Sequence, residues 1–165
     1  MHVPTGQVQQ DVQQTATATT NSGTSPDTRV EHGGHALHGM GHALIWDPGR
    51  PMVIGTDPDG NTTKTWSLTP FKIKGNHQVG RYFTFQSEPI GNISDIKHIW
   101  HIHPNGSDPS SSDYKAMSGW RKEGFTGNTF LIDVNNNRVT FFNKNILMKV
   151  DYNDFRRMGN QENIP

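Results

Sequence analysis

The first aromatic residue in this chain of 165 is Trp46 and the last is Phe155, so all four Trp, three Tyr and eight Phe residues lie between them. Large apolar side chains supply most of the surface a domain can bury, and the core is therefore expected from the last three-quarters of the sequence. About 120 residues with this aromatic content are enough to fold as one unit. Residues 1–28 are dominated by Gln, Thr, Ser and Ala without apolar periodicity. That composition predicts a flexible tail or linker, because it cannot offset the entropy of ordering. The globular domain is then expected over 29–165, and the spacer-like tail points to a piece of a longer polypeptide.

Fifteen Lys and Arg balance fifteen Asp and Glu. No excess of positive charge is available for phosphates or an anionic bilayer, which disfavours nucleic-acid and membrane partners. The sequence has no apolar run of about 18 residues, and its first 25 residues lack the charged start and continuous apolar block of a secretory signal. It also has no Cys. Disulfide scaffolds, thiolate zinc sites and cysteine nucleophiles are excluded together, so any metal must be held by His, Asp or Glu. Nine His residues make that the natural place to look.

From Arg29 onward, short runs rich in β-branched and aromatic residues alternate with turn signals such as Asp47-Pro48-Gly49, Asp57-Pro58-Asp59-Gly60-Asn61 and Asn135-Asn136-Asn137. Strands are predicted at 42–46, 51–54, 80–85, 98–103, 129–134 and 138–142, two neighbouring pairs having hairpin spacing. Ser110-Ser111-Ser112-Asp113 has an acid three residues after a hydroxyl, and predicts a helix running to about Glu123 with Gly124 closing it. A second helix is predicted over 145–158. Strands, then a helix, then strands describe an α+β domain rather than a doubly wound sheet.

The chemistry concentrates in His101-Ile102-His103-Pro104-Asn105-Gly106-Ser107-Asp108-Pro109-Ser110-Ser111-Ser112-Asp113. On a strand, residues i and i+2 share a face, so His101 and His103 offer two imidazoles to one ion while Ile102 points into the opposite layer. Pro104 breaks the strand, Asn105-Gly106 turns it, and the following helix carries Asp113 in its first turn. Two imidazoles and a carboxylate leave a fourth position for water, as in catalytic rather than structural zinc sites. Each element taken alone reads as a solvated strand face or a helix cap. Their conjunction argues for a metal site.

This pattern resembles the JAB/JAMM (MPN-type) zinc metalloproteases, whose signature is an upstream Glu, then H-x-H-P, a short loop and S-x-x-D. The resemblance covers Glu31 to about Asn143, including the hairpin from Phe130 to Phe142. It implies a mixed central sheet flanked by helices, the cytidine-deaminase-like architecture of that family. It also implies Zn²⁺ held by His101, His103 and Asp113, a Glu as general acid and base, and Ser110 helping to hold the oxygen of the tetrahedral intermediate. Six residues separate His103 from Ser110, one fewer than the family's usual seven. Either the loop is shorter or Ser111 takes the Ser role. Ser110 is preferred, because a span of three to the acid suits the helix cap.

Of the four glutamates, Glu123 and Glu162 read as surface residues, leaving Glu31 and Glu88. Glu31 is followed by His32-Gly33-Gly34, which resembles the catalytic-Glu segment of bacterial JAB-like modules in secreted polymorphic toxins; the glycines would let the backbone pass close to the metal. Glu88 precedes a proline just beyond a predicted strand and is the rival base. The turn-rich segment 47–78 is read as an insertion between Glu31 and the metal strand. His32, His35, His38 and His42 are expected on a Gly-rich loop near the mouth of the site, His32 and His35 contacting substrate. The segment Asp57–Asn61 reads as a hairpin turn rather than a calcium loop, and Trp100 and Trp120 as core aromatics.

The expected activity is zinc-dependent hydrolysis of peptide or isopeptide bonds in a protein or peptide substrate. The resemblance to toxin modules implies export within a larger effector by a non-classical route, with an immunity protein as partner. The alternatives are a non-catalytic MPN-like binding module and a metal-dependent nuclease.

Overall fold

A computed structural model describes residues 2–46, 50–56, 58–67, 72–73, 77–78 and 93–161. Its elements in chain order are helix α1 (Gly6–Asn21) and strands β1 (Gly33–Leu37), β2 (Leu44–Ile45), β3 (Arg50–Thr56), β4 (Thr62–Ser67), β5 (Lys72–Ile73), β6 (His77–Gln78) and β7 (Ile96–His103). They continue with helix α2 (Ser111–Lys122), strands β8 (Asn128–Asp133), β9 (Arg138–Phe142) and β10 (Ile146–Asp151), and helix α3 (Tyr152–Gln161). Six strands form one mixed sheet in the order β10-β9-β8-β7-β1-β2, in which only β7 and β8 are parallel. The fold is therefore α+β, as expected. Helix α2 is the crossover that joins the parallel pair.

Period-two alternation along β7 splits its side chains between two cores. Trp100 and Ile102 join Phe130, Ile132, Val139 and Phe141 in one cluster, covered by Val12 and Ala16 of α1 and Phe155 of α3. Ile99 joins Leu131 and Phe142 on the other face, covered by Met117 and Trp120 of α2. Trp100 and Trp120 are thus core aromatics, 0% and 7% exposed. His101 and His103 follow the alternation of Ile99 and so face the layer that contains α2.

The segment expected to be a flexible tail is instead mostly helix, and α1 closes one face of the sheet. Its polar composition hides a stripe of Gln9, Val12, Thr15, Ala16 and Thr19, all buried. The polar members are satisfied inside: Thr15 Oγ1 donates to Val12 O and accepts from Trp100 Nε1 at 2.9 Å, and Gln9 Nε2 donates to Pro4 O at 3.0 Å. The missing aromatic is supplied from the other side by Trp100, so small residues on the helix suffice.

The helix expected over 145–158 is also corrected. Residues 146–151 are the edge strand β10, where half-buried Met148 and Val150 alternate with exposed neighbours. Asp151 then caps α3, its Oδ1 accepting from Asn153 N at 2.8 Å. Among the described residues, the stretch between β2 and β7 contributes two separate two-stranded sheets, β3-β4 and β5-β6, rather than strands of the main sheet. Thr56 pairs with Thr62 across the β3-β4 hairpin, with Gly60 at φ +84° in the connection, as expected for a turn. The predicted strand 80–85 lies outside the described residues.

Candidate metal centre

The site lies at the carboxyl ends of the parallel strands β7 and β8 and the amino end of α2, the usual place for a ligand site in a parallel β-α-β unit. The Ser110 hydroxyl accepts from Asp113 N at 3.1 Å, and Asp113 Oδ2 accepts in return from Ser110 N at 2.8 Å. This reciprocal cap starts α2 where the S-x-x-D spacing predicts it. It also fixes the Asp113 carboxylate over β7. Ser111 is the first residue of the helix proper and exposed, so the capping role belongs to Ser110.

His101 and His103 converge on that carboxylate. His101 Nε2 lies 3.2 Å from Asp113 Oδ1, His103 Nε2 lies 3.2 Å from Oδ2, and the two Nε2 atoms are 2.9 Å apart. Donors about 2.0–2.2 Å from one tetrahedral ion sit roughly 3.3–3.6 Å from each other, so small side-chain rotations admit a cation. Both imidazoles are about nine-tenths buried. Among the described residues this is the one group of three His, Asp or Glu side chains able to hold a metal ion.

The register of β1 brings in the fourth member. Gly33 pairs with His101 and Gly34 with Trp100, and Ile102 N donates to His32 O at 2.8 Å. Continuing that ladder by one pair sets Glu31 opposite His103, on the face of the metal ligands. Both glycines are required for this approach. A Cβ on Gly33 would lie 2.6 Å from Trp100 O and 3.1 Å from the Cβ of His101, and one on Gly34 would lie 2.7 Å from Leu44 O. The backbone does pass close to the site, as the Gly-Gly pair implies.

The electrostatics describe a pocket that wants positive charge. Glu31 is 9% exposed, and burial pushes its pKa above the ordinary 4.5, with His101 and His103 pulling it down and Asp113 adding to the rise. Burial also opposes ionisation of Asp113, but the two histidines more than offset it and hold the carboxyl well below its usual range. His101 is the converse: burial disfavours its charge, yet Asp113 and then Glu31 outweigh this and raise its pKa. The donor set, two imidazoles and one carboxylate, fits a divalent ion of the zinc type.

Two expected substrate contacts are elsewhere. Residues 33–37 are strand rather than loop, so alternation turns His32 toward α1, where its Nδ1 lies 3.0 Å from both Thr19 Oγ1 and Val30 O. His35 is 0% exposed and accepts from Trp46 Nε1 at 2.9 Å. His38 and His42 are exposed beyond the end of β1. Glu123 is exposed at the end of α2, and Glu88 and Glu162 lie outside the described residues. Two polar residues at the site were not anticipated: Ser107, whose Oγ is 2.9 Å from His103 Nδ1, and Asn105, whose Oδ1 accepts from that hydroxyl at 2.8 Å. The signal was a serine in the turn, four residues after His103.

No protein-family model, curated protein or solved structure matches this chain.

Proposed function

We propose that the chain is a metal-dependent hydrolase of peptide or isopeptide bonds, with zinc as the fitting cation. The observation that carries this reading is the meeting of His101, His103 and Asp113 with the buried Glu31 opposite. The resemblance to JAB/JAMM domains supports it, since the order of Glu strand, H-x-H strand and S-x-x-D helix is the order that resemblance implies. A divalent cation held by the three ligands would acidify water and polarise the scissile carbonyl.

The chain's own residues supply the rest. Glu31, its pKa raised by burial, accepts a proton from the attacking water and returns it to the leaving amine. Ser110 keeps a hydroxyl hydrogen to donate while its oxygen caps Asp113, so it is the residue to stabilise the developing oxyanion. Export as the toxic module of a larger effector, countered by an immunity protein, belongs to the same reading and rests on the resemblance.

The test is metal analysis of the purified chain, followed by incubation with peptide-linked and isopeptide-linked substrates. About one zinc per chain with bond cleavage is the expected outcome, and His103→Ala is expected to lose both. Hydrolysis that survives His103→Ala overturns the mechanism.

A further inference from the structure

His103 must present a bare nitrogen to any metal, and the side chain cannot choose its tautomer alone. Its Nδ1 has two neighbours in the loop beyond β7, Ser107 O at 3.2 Å and Ser107 Oγ at 2.9 Å. A carbonyl oxygen only accepts, so Nδ1 carries the hydrogen. The hydroxyl agrees: its own hydrogen is given to Asn105 Oδ1 at 2.8 Å, which leaves Oγ to accept from the ring. Nε2, which lies 2.9 Å from His101 Nε2 and 3.2 Å from Asp113 Oδ2, is then the ring nitrogen left to be freed for a cation that joins these groups.

The loop that holds these groups is itself braced. Ser107 N donates to Asn105 O at 2.9 Å, closing a tight turn around Gly106. A Cβ on Gly106 would run into the side-chain amide of Asn136, so the turn sits directly on that residue. Asn136 is pinned in turn by Asp133, whose carboxylate accepts from Asn135 N, Asn136 N and Asn136 Nδ2 at 2.9 to 3.0 Å. Asp133 is 7% exposed and pairs in register with His103 across the parallel ladder. The brace is thus anchored to the strand next to the ligand it serves.

From this arrangement we infer that Ser107 and Asn105 are positioning residues that lock His103 as the Nδ1–H tautomer and aim its Nε2 at the cation. The inference rests on the metal-centre reading and adds to it the residues that set cation affinity without touching the cation. Hydrogen-bonded partners of metal-bound histidines are typically worth about 10- to 100-fold in affinity.

Calorimetric titration of zinc into the metal-stripped full chain is expected to show that Ser107→Ala binds about 10- to 100-fold more weakly, with Ser107→Thr restoring most of the affinity. Asn105→Ala should cause a smaller loss in the same direction. Long-range ¹H–¹⁵N correlation of the metal-free protein at alkaline pH is expected to show Nδ1 of His103 protonated and Nε2 bare, a preference that Ser107→Ala erases. Unchanged zinc affinity in Ser107→Ala, or a native His103 protonated at Nε2, overturns the inference. If the native chain takes up no zinc, the proposed function fails, while the tautomer spectrum still decides the role of Ser107.

Discussion

Helices α1 and α2 are secured by opposite means. At α2 the sequence within the helix does the work: a reciprocal cap at Ser110 and Asp113, basic Arg121 and Lys122 at the carboxyl end, and Gly124 at φ +108° to stop it. Helix α1 has none of this. Its N-cap Thr5 makes no side-chain cap bond, and it has no acid in the first turn and no base in the last. It is held from outside, by burial of Val12 and Ala16 and by the hydroxyl of Thr15 accepting from Trp100. A locally specified helix can carry a metal ligand at its first turn because its start is fixed to the residue. A helix specified by its partners seals a core whatever its own propensity.

The sharpest way to press this contrast is at the site that α2 positions. Glu31→Gln is expected to lower the hydrolytic rate by about 10²- to 10⁴-fold while zinc content stays the same, because in the proposed mechanism the residue moves protons and does not ligate. Loss of metal in that variant would move Glu31 into the ligand set. Gly33→Ala tests the strand that delivers Glu31. A methyl group there meets Trp100 O and His101, so a loss of about 1–3 kcal/mol is expected in denaturant melts, with a fall in metal retention.

At the other helix, Thr15→Val removes the acceptor for a buried indole N–H. The expected loss is about 1–3 kcal/mol of stability with the metal site intact. A silent Thr15→Val would mean that residues 6–21 act as the tail their composition suggests.

The smallest effect is on pH dependence. His101 has a folded pKa above its ordinary 6.5, so in metal-free protein its contribution is fully present below pH 6.5 and is lost as pH rises through the folded value. Asp113 has a depressed pKa, and its share is present above 3.8 and lost only as pH falls toward the lower folded value. The two describe one ion pair. Thermal melts of the stripped protein should therefore weaken on the alkaline side, while zinc affinity, which needs His101 deprotonated, should tighten there. A stripped protein that grows more stable through that range would contradict the pairing.

What could be read in advance follows the same division. H-x-H, Pro-Asn-Gly and S-x-x-D are signals confined to a few residues, and the strand, turn and capped helix they imply are present. The position of Glu31 was legible through Gly33-Gly34, since only glycine tolerates that backbone approach. The tail reading failed because the apolar surface that buries α1 belongs to Trp100 and Phe155, far along the sequence. His32 and His35 were misplaced because Gly-rich composition suggested a loop, whereas pairing with β7 made a strand and alternation then turned or buried the imidazoles. Ser107 went unnoticed because a serine in a turn has many local uses, and only the folded loop shows it beside His103.

Among the described residues the main sheet takes no strand between β2, at its edge, and β7, beside β1. The ladder that aligns Glu31 with His103 depends on where those two points lie and not on how many residues run between them. Closing such an excursion costs only about 0.6 kcal/mol more for each doubling of its length. The length and surface of the segment between those two points can therefore vary while the register that aligns Glu31 with His103 stays put.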